Sequence, residues 1–126
     1  MQWITLIGDE NFDISTIKSL NHYGCIECYD VPGMEGRYFV NYGEDHIFYD
    51  YDETPDDFED DLSKIPYTKP HFITMIYTSK SCVRSVLQQD NFPTNIYINN
   101  DYGLILPIEK FIQQGMPLDI EDMLNG

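Results

Sequence analysis

His22, Cys25 and Cys28 lie at intervals of three residues and offer one imidazole and two thiols, which are ligands that zinc prefers. A structural zinc site needs four ligands. The remaining candidates are Cys82, His46 and His71, and they form no second closely spaced pair. The sequence therefore predicts no metal site.

The run Cys25-Ile26-Glu27-Cys28 also has the Cys-x-x-Cys spacing of redox-active dithiols. Such a pair acts at a strand-to-helix junction, where the helix terminus lowers the pKa of the first thiol. Here the run falls in a predicted strand, in which side chains three positions apart point to opposite faces. We therefore interpret both residues as packing cysteines.

Cys82 is the better candidate for a nucleophile, because it falls in the first turn of a predicted helix with Lys80 and Arg84 close in sequence. Both the helix terminus and the cations would stabilise a thiolate. A base is also required, and only a fold that brings His46 or His71 close would supply one. A packed helix cysteine is the simpler interpretation. A small cytosolic enzyme with a thiol nucleophile at Cys82 is the leading alternative function.

The most distinctive feature of the sequence is the segment from Glu44 to Asp61, which is rich in carboxylates and contains no lysine or arginine. Asp56 and Asp57 fall in the first turn of a predicted helix, where the helix dipole stabilises acids by about 0.3–1 kcal/mol each. The acids at 59–61 approach the opposite end of that helix, where their mutual repulsion costs stability without a structural return. A solvated helix face and a partner-binding surface are the two interpretations, and we favour the second.

Aromatic residues lie beside these acids, among them Tyr42, Phe48, Tyr49 and Tyr51. Aromatic side chains beside charges have the composition of interface anchors within a polar rim, although packing in a strand is the alternative for each of them. The predicted partner-binding residues are Glu44, Asp45, Tyr49, Tyr51, Asp52, Asp56, Glu59 and Asp60.

The same segment was tested against the calcium loop of an EF-hand, since Asp50, Asp52 and Thr54 match its first, third and fifth positions. The sixth position needs a glycine and has Pro55, and the twelfth has Asp61 in place of the bidentate glutamate. No glycine-rich nucleotide motif is present in the sequence either. We expect no cofactor and no dedicated metal.

Charge limits the class of partner. The sequence has 22 acidic and seven basic residues and a formal charge of −15, which repels nucleic acid and anionic membranes and favours encounter with a basic protein. The first nine residues have no basic region and only a short apolar run, so they predict neither a signal peptide nor a membrane span. Three cysteines, an odd number, suit a reducing compartment. We expect a cytoplasmic protein that is a monomer or a small homo-oligomer.

Hydrophobic periodicity and turn residues divide the chain into alternating elements. Strands are predicted at about 2–7, 25–31, 37–42, 46–51, 71–77, 95–98 and 104–106. Helices are predicted at about 13–20, 54–65, 81–89, 107–114 and 119–124. Because several hairpins and few β-α-β units occur, we expect a single α+β domain over 1–126, with a mainly antiparallel sheet of about six to seven strands covered by three to four helices.

A high acidic excess, aromatic residues beside the acids and no chemical motif make this sequence similar in character to bacterial immunity proteins and other inhibitors of basic toxins or nucleases. The likeness implies electrostatic capture of a basic partner followed by aromatic anchoring. No residue-level motif supports it, so no binding residue is carried over. A structural or assembly subunit, acidic only for solubility, is a further alternative.

Overall fold

Seven antiparallel strands form one sheet in the computed structural model of the chain, which describes residues 2–52 and 65–125. The strands are β1 (Gln2–Gly8), β2 (Glu27–Asp30), β3 (Arg37–Asn41), β4 (His46–Asp52), β5 (His71–Tyr77), β6 (Tyr97–Asn99) and β7 (Ile105–Pro107). Their order across the sheet is β2-β3-β4-β5-β1-β6-β7. The predicted α+β class with an antiparallel sheet is confirmed.

Within these residues the helices are short, and they are α1 (Ile14–Lys18), α2 (Lys80–Leu87), α3 (Ile108–Gln113) and α4 (Ile120–Asn125). Each coincides with a predicted helix. The further helix predicted at 54–65 lies outside the described residues.

Helix α1 has only five residues, too few to be stable by propensity alone, and its ends explain its presence. The Asp13 side chain accepts hydrogen bonds from the backbone N–H groups of Ser15 and Thr16, and the Thr16 hydroxyl accepts one from the Asp13 backbone N–H. This reciprocal capping box satisfies donors that the helix leaves unpaired. Phe12 and Ile17, which have the spacing of a hydrophobic staple, are both buried in the core.

Alternation along the strands gives the sheet two faces. Ile4, Leu6, Ile47, Ile73 and Met75 are fully buried, and they belong to one core cluster with side chains of α1, α2 and α3. We call this side of the sheet the helix-covered face. Burial of so many aliphatic side chains is the main favourable contribution to folding.

The opposite side, the second face, has two different parts. A small cluster of Ile7, Ile65 and Phe72 is buried on this side, and Tyr67 and Tyr97 pack against it. The rest of this face, over β2, β3 and β4, has half-buried and exposed side chains.

Candidate functional site

The structure places the predicted partner-binding residues at opposite ends of β4. Glu44 and Asp45 lie in the turn between β3 and β4, where the Asp45 carboxylate accepts a hydrogen bond of 3.1 Å from the Thr78 hydroxyl. Tyr51 and Asp52 lie at the far end of this seven-residue strand, on the order of 20 Å away. Among the described residues, therefore, the predicted set is not one contiguous patch. The other three predicted residues, Asp56, Glu59 and Asp60, lie outside the described residues.

Tyr49 is a core residue, and its prediction as a partner anchor is wrong. Its side chain is completely buried on the helix-covered face, and its hydroxyl lies 2.9 Å from Nε2 of His22, which is also buried. Burial raises the pKa of Tyr49 well above its ordinary value. Tyr49 lies on the same side of β4 as Ile47, and packing in the core cluster that includes Ile17 of α1 accounts for its position there.

Tyr51 is half-buried at the edge of the same core cluster. Its hydroxyl is 3.2 Å from Nδ1 of His71, and the two rings meet edge to face with centroids 5.8 Å apart. Nδ1 of His71 also lies 3.0 Å from the carbonyl oxygen of Phe12. Tyr51 thus connects β4 to β5 and to the start of α1.

A row of apolar side chains crosses the second face at right angles to the strands. The register places Tyr29 opposite Phe39, Phe39 opposite Phe48, and Phe48 opposite Ile76, and Ile76 is opposite Trp3. Ring centroids are 5.0 Å apart for Tyr29 and Phe39 and 4.8 Å apart for Phe39 and Phe48, which is the range of favourable aromatic pairs. We call these five residues the aromatic row.

The aromatic row is accessible at both ends. Trp3 is 51% exposed and Tyr29 is 44% exposed, while the three residues between them are half-buried. Trp3 and Asp101 line the same small surface pocket, together with Tyr102. An accessible tryptophan in line with further aromatic side chains is the composition of a binding surface.

Polar residues border the aromatic row. Arg37 donates two hydrogen bonds of 2.5 Å to the Asp50 carboxylate, and its guanidinium carbon lies 5.3 Å from the centre of the Phe48 ring. On the opposite side of the row, Asn41 is paired with His46, whose ring contacts Phe48 at 5.3 Å. The row was not predicted from the sequence, because its members come from five strands that only the sheet register aligns.

Most basic side chains are already paired with carboxylates. Lys18 contacts Asp30, and Arg37 contacts Asp50. Lys80 contacts Asp119 and Asp122, and Arg84 contacts Asp122. The ion pair with Lys80 lowers the pKa of Asp119 to about 2. Within residues 2–52 and 65–125 these pairs involve four of the six basic residues. The net charge of −15 leaves a largely acidic surface.

Cys82 lies in the first turn of α2, as predicted, where its N–H donates a hydrogen bond to the capping hydroxyl of Ser79. Burial, followed by the nearby Asp45 carboxylate, raises the pKa of the Cys82 thiol to about 11. The cations expected to activate it are engaged elsewhere, because Lys80 and Arg84 both contact Asp122. At neutral pH the side chain is therefore a protonated thiol, a form that is a poor nucleophile.

Cys25 and Cys28 do not point to opposite faces, and that prediction is wrong. Their sulfur atoms lie 3.5 Å apart. The reason is that β2 begins at Glu27, so Cys25 precedes the strand. The alternation of side chains between the two faces of the strand therefore does not apply to it. Both side chains are half-buried against the core cluster, as packing cysteines would be.

A metal site and a membrane-spanning helix are two further features to consider in residues 2–52 and 65–125. No group of three or more histidine, cysteine, aspartate or glutamate side chains is arranged there to bind a metal ion. In the same ranges no helix has the length and apolar character needed to cross a bilayer.

Comparison of the chain with protein-family models, with curated proteins and with solved structures gave no match. The candidate functional surface is therefore defined by its own chemistry, namely an accessible aromatic row with a polar border on an acidic domain.

Proposed function

We propose that this protein is a binding module that captures a basic protein partner on the second face of its sheet, in the manner of an immunity or inhibitor protein. The aromatic row is the observation that supports this proposal. Tyrosine and tryptophan are the residues that dominate binding energy at protein interfaces, because each buries a large rigid surface with little loss of side-chain entropy. The described part of the second face has both types, at the two ends of one row.

The polar residues that border the aromatic row favour specific binding. Arg37 and Asp50 are paired with each other, and Arg37 also lies over the Phe48 ring, so the pair can remain in place when water is excluded. Polar groups that are already paired cost less to bury than free charges do. A partner would thus meet an apolar centre bordered by polar groups whose geometry is fixed before binding.

The net negative charge of the domain favours a partner with a positively charged surface. A net charge of −15 attracts a cationic surface over a Debye length, roughly 8 Å at physiological ionic strength, and repels a second copy of the same chain. Association with a basic toxin or nuclease would be accelerated in low salt, and the aromatic row would then slow dissociation.

Trp3 is the only tryptophan of the chain, so its fluorescence reports on the second face directly. The immobilised protein is exposed to its native cell extract in three forms: wild type, Trp3→Ser, and the control Leu124→Ser, which removes an 80% exposed leucine of α4. We expect a basic protein to be retained by the wild type and the control and to be lost with Trp3→Ser. The purified partner should shift the Trp3 emission to shorter wavelength.

The proposal is overturned if proteins retained by the wild type are retained equally by Trp3→Ser and leave the emission unchanged. It is also overturned if the only species that covers the row is a second copy of the chain. In that case light scattering would show a dimer for the wild type and a monomer for Trp3→Ser. Circular dichroism of the three forms separates loss of binding from loss of fold.

A further inference from the structure

The sulfur atoms of Cys25 and Cys28 are in contact at 3.5 Å, with one thiol donating to the other. A disulfide bond requires about 2.05 Å, so closure needs a shift on the order of 1.5 Å shared between two side chains. Neither cysteine is in a disulfide, and both residues are half-buried.

The two cysteines lie in different backbone settings. Cys28 lies in β2, paired with Val40 of β3, and β2 is an edge of the sheet. Cys25 lies in a bend that follows Gly24, whose φ of +84° is a conformation that glycine adopts without strain. A disulfide would therefore demand movement mainly from the bend and from the edge strand, and the central strands would be undisturbed.

We propose that Cys25 and Cys28 are a reversible dithiol–disulfide site, oxidised by exchange with a low-molecular-weight disulfide such as oxidised glutathione. One cysteine thiolate attacks a glutathione sulfur, which forms a mixed disulfide and releases the first glutathione thiolate. The neighbouring cysteine thiolate then attacks the protein sulfur of that mixed disulfide. The second glutathione thiolate leaves, so two protein thiols lose two protons and two electrons, and one disulfide molecule becomes two thiols.

The surroundings of the pair influence its rate. Burial, followed by the hydrogen bond with Cys25, raises the pKa of Cys28, while interaction with the Tyr38 hydroxyl lowers it. Since thiolates are the reacting species, exchange should become faster as pH rises. Burial raises the pKa of Cys82 to about 11, so its thiol should exchange more slowly than one with an ordinary pKa.

The test equilibrates the full chain in glutathione buffers from fully reduced to fully oxidised, traps remaining thiols by alkylation, and maps them by mass spectrometry. The wild type should pass from three alkylated cysteines to one, Cys82, without retaining glutathione. Cys82→Ser should lose the same two thiols. Cys28→Ser, which removes the resolving partner, should instead accumulate glutathione on Cys25.

A second measurement shows whether the fold, and not sequence proximity, brings the thiols together. The equilibrium constant for the Cys25–Cys28 disulfide should be at least about tenfold larger in the folded chain than in urea, and the oxidised form should accordingly unfold at higher urea concentration. The proposal is overturned if all three thiols of the folded wild type remain alkylatable, if stable mixed disulfides form at both cysteines, or if the constant in urea equals or exceeds the folded value.

Discussion

Nε2 of His22 lies 2.9 Å from the hydroxyl oxygen of Tyr49, and both side chains are shielded from solvent. The contact attaches the segment after α1 to the middle of β4, 27 residues further along the chain. It also explains why an aromatic residue in an acidic segment is part of the core. The tyrosine hydroxyl finds its partner inside the domain, so it needs neither water nor a binding partner.

The stability of the domain should fall as the pH is lowered through the range in which histidine titrates. Burial lowers the pKa of His22 below its ordinary value. Above the unfolded pKa of about 6.5, both states are neutral at this position. Below it the unfolded chain binds a proton that the folded chain resists, so the free energy of unfolding decreases by at most about 1.4 kcal/mol per pH unit.

Urea unfolding of the wild type and of His22→Gln, from about pH 8 to pH 5, would measure this effect. The variant should be less stable at high pH but should show a shallower decrease on acidification. His46→Gln, on the second face, is the matched control and should retain the wild-type slope. Equal slopes for the wild type and His22→Gln would contradict the prediction.

Substitution of Asn100 should destabilise the domain more than substitution of most other polar residues in the described chain. Its side chain is completely buried, its amide N–H donates to the Pro117 carbonyl at 3.0 Å, and its amide oxygen accepts from the N–H groups of Tyr102 and Leu104. Asn100→Ala leaves these groups without partners, and each one costs about 1–3 kcal/mol when it stays buried. Denaturation should show a large loss of stability, whereas Asn95→Ala, at an exposed position, should change stability by less than about 0.5 kcal/mol.

Ile73 should contribute strongly to stability because it is fully buried on β5, the middle strand of the sheet. Ile73→Ala is expected to lower the free energy of unfolding by about 2–5 kcal/mol, through lost apolar burial and the cavity left behind. Ser85→Ala, at an exposed position on α2, is the control and should be nearly neutral. A neutral result for Ile73→Ala would mean that the strand is not packed as described.

The order of elements was predictable from the sequence, and the order of strands was not. Caps and turns are local signals, and those at Asp13 and Gly103 coincide with real boundaries. The pairing of β1 with β5, in contrast, joins residues as far apart as Gln2 and Tyr77. Nothing in the hydrophobic pattern distinguishes that pairing from others that would bury the same side chains.

The candidate surface, like the order of the strands, could not be predicted from the sequence. The acids between Glu44 and Asp61 are neighbours in sequence, but a strand of seven residues separates those that precede β4 from those at its end. The aromatic row, formed from five strands, has no sequence signature. A period of two predicts which residues share a face of one strand, whereas the register decides which residues share a surface.

The acidic segment from Glu44 to Asp61 should affect the rate of partner association more than the lifetime of the complex. Changing Asp56, Glu59 and Asp60 to their amides removes three charges that act over a distance, so stopped-flow experiments should show slower association and a weaker dependence on salt. An unchanged association rate and salt slope would show that these carboxylates serve solubility alone.

Tyr29→Ala, at the exposed end of the aromatic row, should mainly accelerate dissociation, by a factor that corresponds to about 1–2 kcal/mol or more. Tyr51→Ala is the matched tyrosine substitution outside the row, and it should leave the dissociation rate unchanged if the row is the binding surface. Faster dissociation with Tyr51→Ala and no effect of Tyr29→Ala would place the partner at the end of β4 instead.

The position of β1 between β5 and β6 has a consequence for synthesis on the ribosome. The chain emerges with β1 first, yet neither neighbour of β1 exists until His71 and then Tyr97 have been added. At translation speeds of about 5–20 residues per second, the apolar residues Ile4, Leu6 and Ile7 remain without a partner strand for several seconds. The hairpins of β2, β3 and β4 can form in that interval, but the sheet cannot close. This nascent first strand is therefore where a ribosome-associated chaperone would have most to protect.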